Sequence, residues 1–190
     1  MKNIKNLKIK TKEGFEVKNL QRFPSMEWGE EGGLEADLYY NGKHIIQVYQ
    51  AGDGGPANVS YIGDFYEKNK NEVNEAALKF LTRMDPTSYG PKAKYEWART
   101  KTAAQMDDDD WEMVVVEIER LYDDIKEVKK SFKKGYQTVA MLCCEDQRDY
   151  LSMRNPAATE QDVKDWLAKN GHQDKYFDII MVRSDLTAPL

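Results

Sequence analysis

The chain has 190 residues and a formal net charge of -5, with 33 acidic residues against 28 lysines and arginines and 41% hydrophobic residues. That length is enough for one domain with a buried core, and the negative balance argues against nucleic-acid binding by the whole surface while leaving room for a local basic patch. No apolar run approaches the roughly 20 residues that a membrane-crossing helix needs, and no hydrophobic stretch follows Met1 to Lys5 as in a signal peptide, so a soluble cytoplasmic protein, without membrane attachment, is expected.

The charge is uneven. Lys2, Lys5, Lys8, Lys10, Lys12, Lys18 and Arg22 outnumber Glu13 and Glu16 at the start, whereas Asp107 to Asp110 form the densest acidic run. Residues Ile4 to Lys10 and Phe15 to Leu20 read as two short strands joined at Lys12-Glu13-Gly14. Leu34, Ala36, Leu38 and Tyr40 share one parity, Asn41-Gly42 suits a type I′ turn, and Lys43 to Gln50 returns as a second strand into the glycine-rich stretch Gly52-Asp53-Gly54-Gly55-Pro56. A meander of antiparallel hairpins follows from these periods.

From about Asp64 the period changes. Val73, Ala76, Ala77, Phe80 and Leu81 fall at helical spacing, and Asp85-Pro86 ends that helix. Thr87 to Gln105 is mixed, a loop followed by a short helix. Trp111, Val114, Val115, Ile118, Leu121, Tyr122, Ile125, Val128 and Phe132 predict a long amphipathic helix from about Asp108 to Lys134. Its charges match its dipole: Asp107 to Asp110 stand at the positive N-terminus, Lys129, Lys130, Lys133 and Lys134 at the negative C-terminus, and Gly135 supplies a left-handed stop. Val139 to Cys143 then reads as a buried strand, Thr159 opens a helix carrying Val163, Trp166 and Leu167, and Tyr176 to Val182 reads as a last strand. The expected class is α+β, with an N-terminal antiparallel hairpin sheet, a long amphipathic central helix and a C-terminal β-α-β segment. One domain over residues 1–190 is the default, with a β-rich part (1–62) and a helix-rich part (63–190) as its sub-lobes.

Chemistry-bearing patterns are sparse. Asp53, Gly54 and Gly55 offer backbone N–H groups to an anion or other ligand, since glycine permits close approach. The loop lacks the Lys-Ser/Thr ending of a P-loop, so a structural turn is the simpler reading. Four consecutive aspartates suggest a cation, but adjacent helical side chains diverge by about 100° and metal loops interleave their ligands. Helix capping explains them more simply. A second reading is that Asp107, Asp108, Asp109 and Asp110, with Glu112, Glu117 and Glu119, imitate the phosphates of a nucleic acid toward a basic partner groove.

His44 and His172 show no metal-ligand spacing, and no nucleophile elbow or triad order is present, so neither a catalytic set, a metal site nor a cofactor is assigned. A pairing of His44 with Asp37 or Asp53 would make a general base, although a half-exposed strand histidine is the plainer state. Cys143 and Cys144 are adjacent in an apolar run, which suits reduced, packed thiols rather than a structural disulfide. Tyr39, Tyr40 and Tyr49, with Trp28 and Tyr61 near Lys43, offer stacking surfaces to single-stranded nucleic acid or to a protein.

Three features, Trp28-Gly29-Glu30-Glu31-Gly32-Gly33-Leu34, the hairpin Leu38 to Lys43 with its glycine loop, and the acidic-to-basic long helix, give the chain a likeness. It resembles metagenome-derived or phage-derived anti-CRISPR proteins that inhibit type II RNA-guided effector nucleases. The resemblance implies a phage or mobile-element protein that binds stoichiometrically to a large nucleoprotein, the nuclease with its guide RNA. It implies contact through Asp107 to Glu119 first and the hairpin tyrosines Tyr39, Tyr40 and Tyr49 second. Two other classes stand beside it: a metal-dependent enzyme acting on nucleic acid through Glu35, Asp37 and Asp53, and a small regulatory homodimer paired through the hairpin edge.

Overall fold

A computed structural model describes residues 6–7, 9–25, 29–84, 96–144, 147–155, 158–171 and 176–182. Among them the chain is mixed α+β, in two compact units: residues 1–83 with 97–122, and 84–96 with 123–190. Among the described residues no helix is long and apolar enough to cross a membrane.

The first unit carries the antiparallel strands β1 (Phe15–Ser25), β2 (Gly29–Tyr40), β3 (Lys43–Gln50) and β4 (Asn58–Tyr61), in the order β1-β2-β3-β4. The β2–β3 connection is a two-residue turn, in which Asn41 and Gly42 hold φ angles of 48° and 77°, as a type I′ turn requires. Two irregularities set which side chains face the core. Between Leu38 and Tyr39 the register slips, so Leu38 pairs Ile46 and Tyr39 pairs His44. Ile45 is the extra residue, and both Ile45 and Ile46 are buried. A second slip lies between Lys18 and Gln21, where Asn19 takes a φ of 52°. Its backbone N–H donates to Asn6 Oδ1 and its side-chain amide to Asp37 Oδ2, at 3.0 Å and 2.6 Å, which offsets the left-handed conformation.

The inner face of this sheet packs on two helices, α1 (Gly63–Met84) and the first half of α3 (Asp108–Lys133), and α2 (Glu96–Thr100) lies between them in sequence. Phe15 is the centre of an aromatic cluster, 5.1 Å from the Tyr40 ring and 6.4 Å from those of Phe80 and Trp111. Trp111, Val114, Val115 and Ile118 are fully buried, as their helical spacing predicts. Burying each such side chain contributes about 1.5 to 3 kcal/mol. α1 is kinked at Asn69, whose φ and ψ are -122° and 17° and whose side-chain amide donates to the Phe65 carbonyl at 2.7 Å, a local bond of the kind that competes with the helix ladder.

In the second unit β5 (Thr138–Cys144) pairs antiparallel with β6 (Gln147–Met153) on one side and β7 (Tyr176–Val182) on the other. α4 (Glu160–Lys169) starts at a capping box in which Thr159 and Asp162 satisfy each other's backbone N–H groups. Its Val163 and Leu167 pack on Ala140, Leu151 and Met153. The alternate residues of β6 meet the end of α3: Tyr150 OH donates to Asp124 Oδ1 at 2.8 Å, and the Ser152 and Ser131 hydroxyls are 2.9 Å apart. Strand alternation thus puts one helix on each face of this sheet. α3 ends in a Schellman motif, with Tyr136 N–H donating to Ser131 O and Gly135 N–H to Phe132 O.

One reading needs correction, and two strands add to the expected set. The segment before Phe15 is not a strand over its described residues; Leu7 N–H and Thr11 N–H each make a single bond to β1 carbonyls, and Ile4 lies outside the described residues. Asn58–Tyr61 and Gln147–Met153 are strands that weak alternation concealed. The C-terminal β-α-β segment therefore carries a second strand before its helix. Asp85-Pro86, Trp28 and His172 lie outside the described residues, as do the side chains of Trp97, Cys143 and Cys144.

Candidate functional site

The start of α3 and the glycine-rich loop after β3 line one cleft, about 620 Å³ in volume, together with Gln50, Lys101 and Gly32. The sequence separates these groups by half a hundred positions, and the sheet brings them together. Gln50, at the end of β3, is the hub. Its side-chain carbonyl accepts from Gly52 N–H at 2.8 Å, and its amide donates to Gly55 O at 2.8 Å and to Glu112 Oε2 at 3.3 Å. Asp53 turns back on its own loop, Oδ1 accepting from Gly55 N–H at 3.1 Å. Ala57 N–H donates to Asp109 Oδ1 at 3.0 Å. The N–H groups of Gly52 and Gly55 are thus occupied by the side chains of Gln50 and Asp53.

The four aspartates have different environments. Asp107 and Asp110 cap each other: Asp110 N–H donates to Asp107 Oδ1 at 3.2 Å and Asp107 N–H to Asp110 Oδ2 at 2.9 Å. Lys101 donates to both carboxylates, at 2.8 Å to Asp107 and 2.6 Å to Asp110. Asp108 accepts from Tyr61 OH at 3.3 Å, and Asp109 is exposed beside the loop. Burial raises the Asp110 pKa, and the neighbouring charge of Asp107 adds to it, outweighing the bonds from Lys101 and the Asp107 N–H. At Asp107 burial is outweighed by those from Lys101 and Asp110 N–H, so its pKa is lowered. Glu112 is raised by burial and by the charge of Asp109, against the Gln50 bond and Arg22. The cleft is lined by Asp107, Asp109, Asp110 and Glu112 with Lys101, which pairs with Asp107 and Asp110, so its lining carries more negative than positive charge.

Other candidates do not join it. Glu117 is fully buried and ion-paired with Arg120 on the same helix. Glu119 accepts from Arg22 of β1 through two nitrogens, at 2.8 Å and 3.0 Å. Both carboxylates are thus spent on internal pairs. Tyr40 faces the core and donates to Glu72 Oε1 at 3.0 Å. Tyr39 faces outward, its ring stacked on His44 at 4.8 Å with Lys18 Nζ 3.9 Å from its centre. Tyr49 is 42% exposed. Glu35 and Asp37 lie on the outward face of the sheet, His44 Nε2 stands 3.6 Å from Asp37 Oδ1, and among the described residues no three His, Cys, Asp or Glu side chains gather as metal ligands would. Lys101 and Gln50 were missed at the sequence level. Lys101 sits in a stretch without period, and a strand glutamine looks like any other until its tertiary partners are known.

These features define a small α+β protein with an electronegative cleft at a helix start. Compared with known proteins, the chain matches no family model, no curated protein and no solved structure.

Proposed function

We propose that this chain is a stoichiometric protein inhibitor, of phage or mobile-element type, that binds and blocks a type II RNA-guided nuclease carrying its guide RNA. The observation that carries this reading is the cleft at the start of α3, where four carboxylates and one lysine line a space of about 620 Å³. Walls of low dielectric focus that negative potential, and a basic groove evolved to hold nucleic-acid phosphates presents complementary charge to it. Asp107, Asp109 and Glu112 are the contact, with Asp110 and Lys101 holding the helix start in place. Glu117 and Glu119 support the helix from within through Arg120 and Arg22.

The test is to mix the purified protein with the guide-loaded nuclease, scoring co-elution and target cleavage over a range of ratios. Saturable co-elution with cleavage lost near equimolar amounts is expected. Replacing Asp107 to Asp110 by asparagine keeps oxygen acceptors for the helix N–H groups while removing charge, and it should weaken binding roughly tenfold at low salt and less at high salt. Unchanged affinity would overturn the acidic contact. No co-elution would overturn the inhibitor, and loss of cleavage at catalytic amounts would make the protein an enzyme.

A further inference from the structure

The outward face of β1–β3 carries a second set of chemistry that the cleft does not use. Register places Gln21, Glu35 and Tyr49 side by side on the three strands, with Lys18, Asp37 and Gln47 in the next outward row. Phe23 stacks on Tyr49 with ring centres 5.6 Å apart and planes 21° apart. Gly33 makes room for that pair: a Cβ there would stand 2.1 Å from the Phe23 ring. One face of the Tyr49 ring is thereby backed by Phe23, and the residue remains 42% exposed. Beside it, Glu35 Oε1 accepts a long bond of 3.3 Å from Gln47, and a carboxylate has acceptor capacity beyond one such bond. A rigid ring next to a carboxylate with acceptor capacity to spare is the arrangement that takes a planar cation, stacking it on the ring and pairing it with the carboxylate.

We propose that this face is a docking surface for a protein partner that inserts an arginine over Tyr49 against Glu35. Charge decides the class of partner. Among the described residues of this face Glu16, Glu35 and Asp37 stand against Lys18, so a phosphate chain stacking its bases on Tyr49 would meet net repulsion from them, while an arginine-bearing surface meets attraction. Arginine is favoured over lysine because only the guanidinium is flat enough to stack and forked enough to pair at once. Tyr39 does not serve, since His44 and Lys18 already engage its ring. The proposal shares with the inhibitor reading only the premise of a protein partner, and it uses a different face.

The test needs no nuclease, so its failure and that of the inhibitor reading are separate results. The isotope-labelled protein is titrated by NMR with a short peptide alternating arginine and glycine, with its lysine counterpart, and with an oligothymidylate. Shifts centred on Tyr49 and Glu35 are expected, with the arginine peptide at least about fivefold tighter than the lysine peptide. Tyr49→Ala should weaken the arginine peptide by a similar factor, and the isosteric Glu35→Gln does the same with the native spectrum retained. Equal affinity for the two peptides would overturn the proposal, as would shifts confined to residues 107–113. Binding of the oligothymidylate at Tyr49 would replace it with a nucleic-acid platform.

Discussion

Glu112 holds a charge where its surroundings resist one, since burial and the Asp109 carboxylate raise its pKa above the usual range for glutamate. A carboxyl whose native pKa is raised binds its proton more tightly folded than unfolded, so stability declines as pH rises from the unfolded value through the native one. Glu112→Gln keeps an acceptor for the Gln50 amide and removes that charge. The variant should therefore be more stable than the parent at neutral pH, with the gain vanishing below the ordinary glutamate range. Denaturation midpoints at neutral pH and near pH 3.5, roughly a unit below the ordinary value, check this, and an equal gain at both would refute it. Proteins commonly keep such a cost where the charge has work to do. The composition of this site was partly legible: the acidic run and the glycine loop stand out in the sequence. What each aspartate does was not, because Lys101, Tyr61 and the Ala57 N–H reach them only through the fold.

At the scale of elements, the strongest local signals were read correctly. Asn41-Gly42 turns the hairpin because both residues accept positive φ. The nonpolar spacing of α3 predicts its buried stripe, and Gly135 stops it at a φ of 92°. A Cβ at Gly135 meets no neighbouring atom, so Gly135→Ala isolates the backbone cost of the left-handed conformation. A loss of about 1 kcal/mol is expected in urea denaturation; no loss would mean that the Schellman end contributes nothing. Elements without a period of their own were illegible. β4 has four residues and β6 alternates weakly, and both exist because a neighbouring strand offers its edge.

Over the whole chain, ties between distant segments decide how the first unit closes. Arg83, near the end of α1, donates to both oxygens of Glu13, in the turn before β1, each at 2.9 Å and across 70 positions. The Glu13 side chain is 3% exposed and that of Arg83 30%. Burial alone would raise the Glu13 pKa, but the bonds and charge of Arg83 prevail and lower it. A lowered carboxylate pKa contributes stability that is present above the unfolded value and lost as pH falls through the native one. Arg83→Met should cost roughly 2 to 3 kcal/mol at neutral pH, below the range for a fully buried pair because Arg83 is partly solvated. The loss should shrink in acid as Glu13 takes up its proton, and a cost independent of pH would show that packing rather than charge is lost. By itself the sequence determined the class of fold, the hairpin, the long helix and both of its ends, because hydrophobic period, positive-φ residues and helix-dipole charges act over a few neighbouring residues. Only the tertiary structure decided that Gln50 and Lys101 complete the cleft, that Glu117 and Glu119 turn inward, and that Tyr49 rather than Tyr39 or Tyr40 stays open. The first two outcomes depend on which distant segments the fold brings together, and the last on strand register, where the bulges at Asn19 and Ile45 set which face the neighbouring side chains take.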